Sequence, residues 1–232
     1  MRLPLSAVLL SLLVGGCATQ TSVQARRQVP AGYAGRPFAD SKYHGGPQRI
    51  PGSLMCAYYD LGGEGVAYRY NHQKNPGSGG LNPLNGDYYN EFRHDEPVGI
   101  SYTKYGIKAD NSLYNKVTPP EKLFYVGWTE PGEWFNLTVD VARAGTYKVD
   151  LLYTSNRGGV LSFDLNGQPI GRPIEIESTH DAADPIAWRQ WHHWNVARDI
   201  AELSLPLGTN LLTVHVVKQG NMNLATLTFT KS

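Results

Sequence analysis

From Gln48 to the C-terminus the sequence alternates short apolar runs with turn residues at intervals of about 8–12 positions, a rhythm that points to an all-β sandwich. The runs are SLMCAYYD, EWFNLTVDV, TYKVDLLYTS, VLSFDLNGQPI, HHWNVARDIAELSLP, TNLLTVHVV and NLATLTFT. Within VLSFDLNGQPI, Asn166-Gly167 stands between two apolar runs. That pair suits a two-residue hairpin, whose mirror-image turn needs positive φ at both central positions. The 25 Gly, 15 Pro and 11% aromatic residues, with only 18% charged, fit a turn-rich β domain better than a helical one. No helix longer than a turn or two is expected, and there is no internal repeat.

The N-terminus sets the compartment. MRLPLSAVLLSLLVGGCATQ carries a basic Arg2 and an apolar run from Leu3 to Val14, too short to span a bilayer as a mature helix. It reads as a signal peptide. Val14-Gly15-Gly16-Cys17 resembles the lipobox of bacterial lipoproteins, which implies a signal segment 1–17 ending at a lipidated Cys17. A plain secretory signal with an incidental cysteine is the alternative. Ala18 replaces the aspartate that resembles an inner-membrane retention signal, so in a Gram-negative cell the expected location is the outer membrane. Residues 18–47, rich in Gly, Pro, Ser and Arg and without a hydrophobic period, read as a flexible spacer. Residues 48–232 then form a single sandwich. Cys56, in the apolar context LMCAYY, lacks a partner for an internal disulfide and reads as a buried core residue rather than a reactive thiol.

Several function classes fall away. A formal charge of +1 and a pI near 7.8, with basic residues scattered, give no field to steer the chain to nucleic acid. GGEGVAY does not open a helix after a strand and is no phosphate loop. The histidines show no H-x-H or H-E-x-x-H spacing, and adjacent His192 and His193 point apart in a strand, so no metal site is expected. Glu130 and Glu133 flank a turn and Asp95-Glu96 are neighbours in a loop. Neither pair carries the cleft-spanning arrangement that a hydrolase needs.

The stretch YVGWTEPGEWFNLTV places Trp128 and Trp134 six residues apart across a Glu-Pro-Gly-Glu turn. Both can be core, or one can be core while the other offers a flat face to a ligand. Trp134 starts the alternating strand WFNLTV and is expected to pack inward, while Trp128 sits at the loop end. In WRQWHHW, Trp188 is expected to lead the strand, with Trp191 and Trp194 lying deeper. The segment from Tyr68 to Tyr105 breaks the strand rhythm. A polar, aromatic, glycine-rich loop this long is either functional or a cover for a sheet edge.

Taken in order, IPGSLMCAYYDLGGEGVAYRYN, NEFRHDEPVGI, YVGWTEPGEWFNLTVDVARAGTYKVDLLYTSNRGGVLSFDLNG, WRQWHHWNV, LPLGTNLLTV and GNMNLATLTF resemble the β-sandwich carbohydrate-binding modules of family six, over nearly all of 50–230. The resemblance implies a galactose-binding-like jelly roll that binds glycans without cutting them. It assigns one aromatic platform to Trp128, after Val-Gly, and the second to Trp188 of WRQW. It places a hydrogen-bonding asparagine at Asn223 of the last strand, and a polar contribution after the first strand at Tyr68 and Arg69. Family members often carry an acidic pair in the first strand that helps to hold a structural calcium. Here Met55 and Ala57 occupy those positions, so no ion or other cofactor is expected, calcium needing six to eight oxygens.

Sugar chemistry agrees with that residue set. A pyranose has an apolar C–H face that an aromatic ring buries, and a hydroxyl rim that amides and charged groups satisfy. The expected partner is a polysaccharide or oligosaccharide, and the expected membrane contact is the lipid anchor alone. The competing reading is a structural or protein-binding sandwich that has lost its sugar site. Exposure of Trp128 and Trp188 separates the two.

Overall fold

A computed structural model describes residues 28–43, 45–105 and 109–232. The signal segment with Cys17, and the first part of the expected spacer, 18–27, lie outside the described residues.

Among the described residues, twelve strands form two six-stranded sheets. The first sheet contains β1 (Gln48–Ile50), β3 (Tyr68–Arg69), β6 (Trp134–Val141), β8 (Gly159–Leu165), β9 (Gln168–Ile176) and β11 (Gly208–Lys218). Its order is β1-β6-β11-β8-β9, with β3 also paired to β6. The second contains β2 (Gly52–Met55), β4 (Ile100–Tyr102), β5 (Phe124–Val126), β7 (Gly145–Ser155), β10 (Asn195–Leu205) and β12 (Met222–Lys231). Its order is β10-β7-β12-β5-β4, with β2 added to β12. Apart from β1 on β6, all pairings are antiparallel. The expected all-β sandwich is what the chain forms.

Alternation along the strands builds the core. In β6 the inward positions are Phe135, Leu137, Val139 and Val141, each 2% exposed or less. They meet Val149, Leu151 and Tyr153 of β7 and Leu224, Leu227 and Phe229 of β12 in one cluster. Burying side chains of this size contributes about 1.5–3 kcal/mol each. The Asn166-Gly167 hairpin joins β8 and β9 as expected. Both residues have positive φ, +55° and +79°, and Leu165 faces Gln168 across the two-residue loop.

Three expectations are corrected. Trp134 is half-buried on the opposite face of β6 from the core. The turn ends one residue earlier than inward packing of Trp134 requires, so Phe135 takes the inward position and Glu133 is sealed under the turn. WRQWHHW is no strand start: Ala187–Arg189 form a short 3-10 turn, and β10 begins only at Asn195. The expected spacer belongs to the folded body from Gln28 onward. Gln28 N–H donates to Thr209 O, Arg36 and Leu61 exchange both backbone hydrogen bonds, and Phe38 is buried and stacked on Tyr58. This stretch lacks a hydrophobic period because it lies as an irregular cover on the sandwich. Nearby, the buried Asp60 accepts from Thr138 N–H, Thr138 Oγ1 and Tyr33 OH on the outer face of β6.

Cys56 is fully buried, and desolvation pushes its thiol up to about 12, so it is inert as read. Glu133 accepts backbone N–H bonds from Asn71 and Glu130 at 2.9 and 2.8 Å, and burial raises its carboxyl to about 7. A carboxyl raised on folding favours the protonated form. Its contribution to stability is complete below the unfolded value near 4.5 and is lost as pH rises towards 7. We expect the melting temperature of the wild type, relative to Glu133→Gln, to fall between about pH 4.5 and 7 and then level off. Calorimetry of both proteins across pH 4–8 checks this, and parallel curves refute it.

Candidate functional site

The loops 127–133, 156–158, 177–194 and 219–221 gather at one end of the sandwich, where β5 and β7 end and β12 begins. A cleft of about 180 Å³ opens there on the outer side of the second sheet. Trp128, Trp188 and Asn223 line it together, so three positions spread over 95 residues of sequence meet at one place.

Trp128 follows β5 with φ at +52°, a conformation that a bulky side chain adopts only when its surroundings enforce it. The enforcement comes from both sides. Gly127 N–H donates to Gly99 O at 2.8 Å, and Trp128 O engages His72 Nε2 at 3.2 Å. Asn221 N–H then donates to Thr129 O at 2.6 Å. Glycine is required beneath: a Cβ on Gly99 lies 2.4 Å from Gly127 O and 3.0 Å from Trp128 Cε3. Trp188, on the 3-10 turn, is 56% exposed. Its loop is held from below by Asp184, which accepts from Arg189 Nε at 2.7 Å and from His193 Nε2 at 2.9 Å. The Arg189 hydrogen bond holds the Asp184 carboxyl well below the usual range.

The five tryptophans divide by what their rings touch. Trp191 and Trp194 pack edge-on against His192, and Trp194 against Tyr125 as well. Trp194 is fully buried, as expected, and Trp191 is partly so. Trp188 makes no ring–ring contact among the described residues, while the half-buried Trp128 packs against the cluster of Leu123, Tyr125, Trp194 and Ala225.

At the base, a hydrogen-bonded chain orients Asn223. Asp110 Oδ1 accepts from Trp194 Nε1 at 2.9 Å and from His192 Nε2 at 2.7 Å. With its proton on Nε2, His192 offers Nδ1 as an acceptor, and Asn223 Nδ2 donates to it at 3.0 Å. The same amide nitrogen donates to Thr154 Oγ1 at 2.9 Å. Both amide hydrogens point into the protein, which leaves Oδ1 as the polar atom available to a ligand. Gly127 again makes room, since a Cβ there lies 2.5 Å from Asn223 Oδ1. Gly127→Ala is therefore expected to displace the amide and abolish ligand binding. Its cost is about 1–3 kcal/mol of stability for overpacking. Thermal melting and a binding assay on the one variant check both parts.

The other walls come from residues that the sequence did not assign to the site: Leu81, Tyr102, Lys104, Asp110, Tyr125 and His192. Three of these lie in the segment 68–105, which thereby walls the cleft. Its Tyr88, Tyr89 and Phe92 pack instead on Phe124, away from the cleft. Lys104 is held in place: Nζ donates to Asn82 Oδ1 at 2.8 Å and Ser101 Oγ at 3.1 Å, and burial lowers it to about 8.

Tyr68 and Arg69 do not join the site. Tyr68 is buried edge-on against Tyr59, and Arg69 is exposed opposite Trp134 in the first sheet. Strand β3 pairs with β6, and so carries both residues to the other sheet. At the positions of the family's acidic pair, Met55 closes β2 and Ala57 is buried in a 3-10 turn, and neither supplies an oxygen ligand from its side chain. Among the described residues no group of three His, Cys, Asp or Glu side chains is arranged to hold a metal ion.

No family model and no curated protein matches the chain. Among solved structures it is similar to a carbohydrate-binding module (CBM6cm-2) of Cellvibrio mixtus lichenase 5A in complex with cellotriose. That match has 20% identity and a TM-score of 0.37, over 47% of this chain and 78% of the other. It is also similar to CsCBM6-3 from Clostridium stercorarium in complex with cellobiose, at 11% identity and a TM-score of 0.45, over 81% and 98%. A third likeness, to a glycoside hydrolase family 43 arabinoxylan arabinofuranohydrolase from Bacillus subtilis, has 10% identity and a TM-score of 0.47. It covers 84% of this chain but 33% of that one. In structure, then, the chain is similar to carbohydrate-binding modules.

Proposed function

We propose that this chain binds glycans without cleaving them, holding a pyranose between Trp128 and Trp188 with Asn223 hydrogen-bonding at the base. The observation that carries the reading is the convergence of two indoles, Trp128 and Trp188, on one cleft with a pre-oriented amide. The indoles bury the C–H face of a sugar, and Asn223 Oδ1 accepts from a hydroxyl of its rim. Because that amide is already fixed by His192 and Thr154, little freedom is lost when it engages.

Non-catalysis is part of the same reading. The single carboxylate lining the cleft among the described residues, Asp110, is committed to His192, Trp194 and the Lys104 N–H. Glycoside hydrolysis uses two carboxyl groups roughly 5–10 Å apart across the bond. Glu133 is buried beneath the turn and does not line the cleft.

We further propose that a lipid on Cys17 tethers the domain to the bacterial cell envelope, at the outer membrane. A tethered module gains from multivalency, which offsets weak binding at each single site. Binding of a soluble form from Ala18 onward to a polysaccharide panel tests the glycan reading. Retention by one polymer class, lost in a Trp128→Ala, Trp188→Ala double variant, supports it. Silence across the panel from folded protein transfers the reading to a structural or protein-binding sandwich. Mass spectrometry of the N-terminal peptide from a bacterial host tests the anchor.

A further inference from the structure

We infer that the cleft holds one residue of a longer chain. The chain continues past Trp128 into a second hollow, so that the protein recognises the interior of a neutral polysaccharide rather than a single sugar. This rests on the glycan-binding reading above and extends it.

The second hollow, of about 510 Å³, lies at the same end of the sandwich. It is lined by His72, Glu130, Arg157, Gln219 and Asn221, with Trp128 as the wall it shares with the cleft. Size separates the roles. Small-molecule sites usually measure about 300–1,000 Å³, and at about 180 Å³ the cleft alone falls below that range. It has room for about one pyranose, while the hollow beyond Trp128 has room for two or three more.

The chemistry of the two compartments also differs. In the cleft Asp110, His192, Lys104 and the Asn223 amide nitrogen are tied to the protein, which leaves Asn223 Oδ1 and the indole N–H groups. In the hollow they are uncommitted: the side chains of Arg157, Gln219 and Asn221 make no hydrogen bond or ion pair among the described residues. Glu130 has only His72, at 4.0 Å. Donors (Arg157), acceptors (Glu130) and groups with both (Gln219, Asn221) stand side by side, with one charge of each sign. Hydroxyl groups donate and accept alike, so the set suits a hydroxyl-rich neutral chain better than an anionic one.

The hollow has a firm floor. The loops beneath it are zipped together by Asn221 N–H to Thr129 O at 2.6 Å, Gly132 N–H to Val216 O at 2.8 Å and Asn156 N–H to Asn221 O at 3.2 Å. Gly220 lies so close that a Cβ there falls 2.2 Å from Thr129 O. Trp128, Gln219 and Asn221 hold φ values of +52°, +58° and +55°. Three such residues around one hollow make a backbone set in place before a ligand arrives.

Calorimetric titration with cello-, xylo- and laminari-oligosaccharides of one to six residues tests this. Oligomers of any other polymer that the panel identifies are titrated in the same way. For the series that binds, affinity is expected to rise at least tenfold between two and four residues and then level off. An Arg157→Ala, Gln219→Ala double variant, folded by its melting temperature, should lose that rise yet bind the monosaccharide within twofold of wild type. Equal affinity for the dimer and the tetramer overturns the inference, as does a rise that survives in the double variant. The glycan reading still stands if Trp188→Ala then abolishes disaccharide binding. Absence of binding to every series and polymer overturns both.

Discussion

Trp188→Ala should weaken glycan binding about 30-fold and leave the melting temperature within about 1 °C of wild type. The indole is 56% exposed and makes no aromatic contact, so the folded state loses little when it is removed. A sugar that covers about 80 Å² of its face gains about 2 kcal/mol at 25 cal/mol per Å². At 1.36 kcal/mol per tenfold, that is the ~30-fold expected. Trp188→Phe, which keeps a smaller flat face, should recover part of the loss. Titration and melting on the same preparations check this, and a large fall in melting temperature would identify Trp188 as a packing residue. Trp128→Ala should weaken binding as well, but with lower stability, because Trp128 packs against the cluster of Leu123, Tyr125, Trp194 and Ala225.

Asp110→Ala carries the largest expected loss of stability. Asp110 is 2% exposed and accepts from His192 Nε2, Trp194 Nε1 and the Lys104 N–H. Removing one side of a buried polar cluster costs about 3–5 kcal/mol. In a domain of this size that corresponds to roughly 10 °C in melting temperature. Binding should go with it, because His192 no longer has a reason to keep its proton on Nε2, and Asn223 loses the partner that turns its oxygen outward.

Asp110→Asn separates the two effects. Its amide oxygen can replace Oδ1, to which both His192 and Trp194 donate, while its NH₂ faces the Lys104 N–H that Oδ2 accepts. Stability should fall by about 1–3 kcal/mol for the unpaired donors. Ligand binding should survive within a few-fold. Equal losses of binding in both variants would show that the chain from Asp110 to Asn223 does not position the amide.

Much of this was legible before the structure. Strand-length runs and the Asn166-Gly167 turn are local signals, set by side-chain alternation and by two positive φ values that few residue pairs accept. The motif residues Trp128, Trp188 and Asn223 were each readable, and all three line one cleft. Other readings failed for identifiable reasons. Trp134 was assigned to the wrong face, because the connection 127–133 crosses from the second sheet to the first and can deliver β6 with either face inward, and only the seating of Phe135 and Glu133 decides between them. Tyr68 and Arg69 form β3, whose partner, β6, belongs to the sheet away from the cleft. That pairing joins Tyr68 to Phe135 and Arg69 to Trp134, far apart in the chain, and leaves no local mark.

The sequence by itself determined the class of fold, the hairpin, the inert core cysteine and which tryptophans to suspect, since period, turn chemistry and motif spacing act over a few residues. Only the tertiary structure decided that the stretch from Gln28 to Tyr43 packs on the sandwich, and that the insertion walls the cleft instead of covering it. It also decided that an aspartate 82 residues before His192 fixes the tautomer on which Asn223 depends. Such contacts arise where the whole chain closes on itself, and a buried donor finds its acceptor by position in space, whatever the separation along the chain.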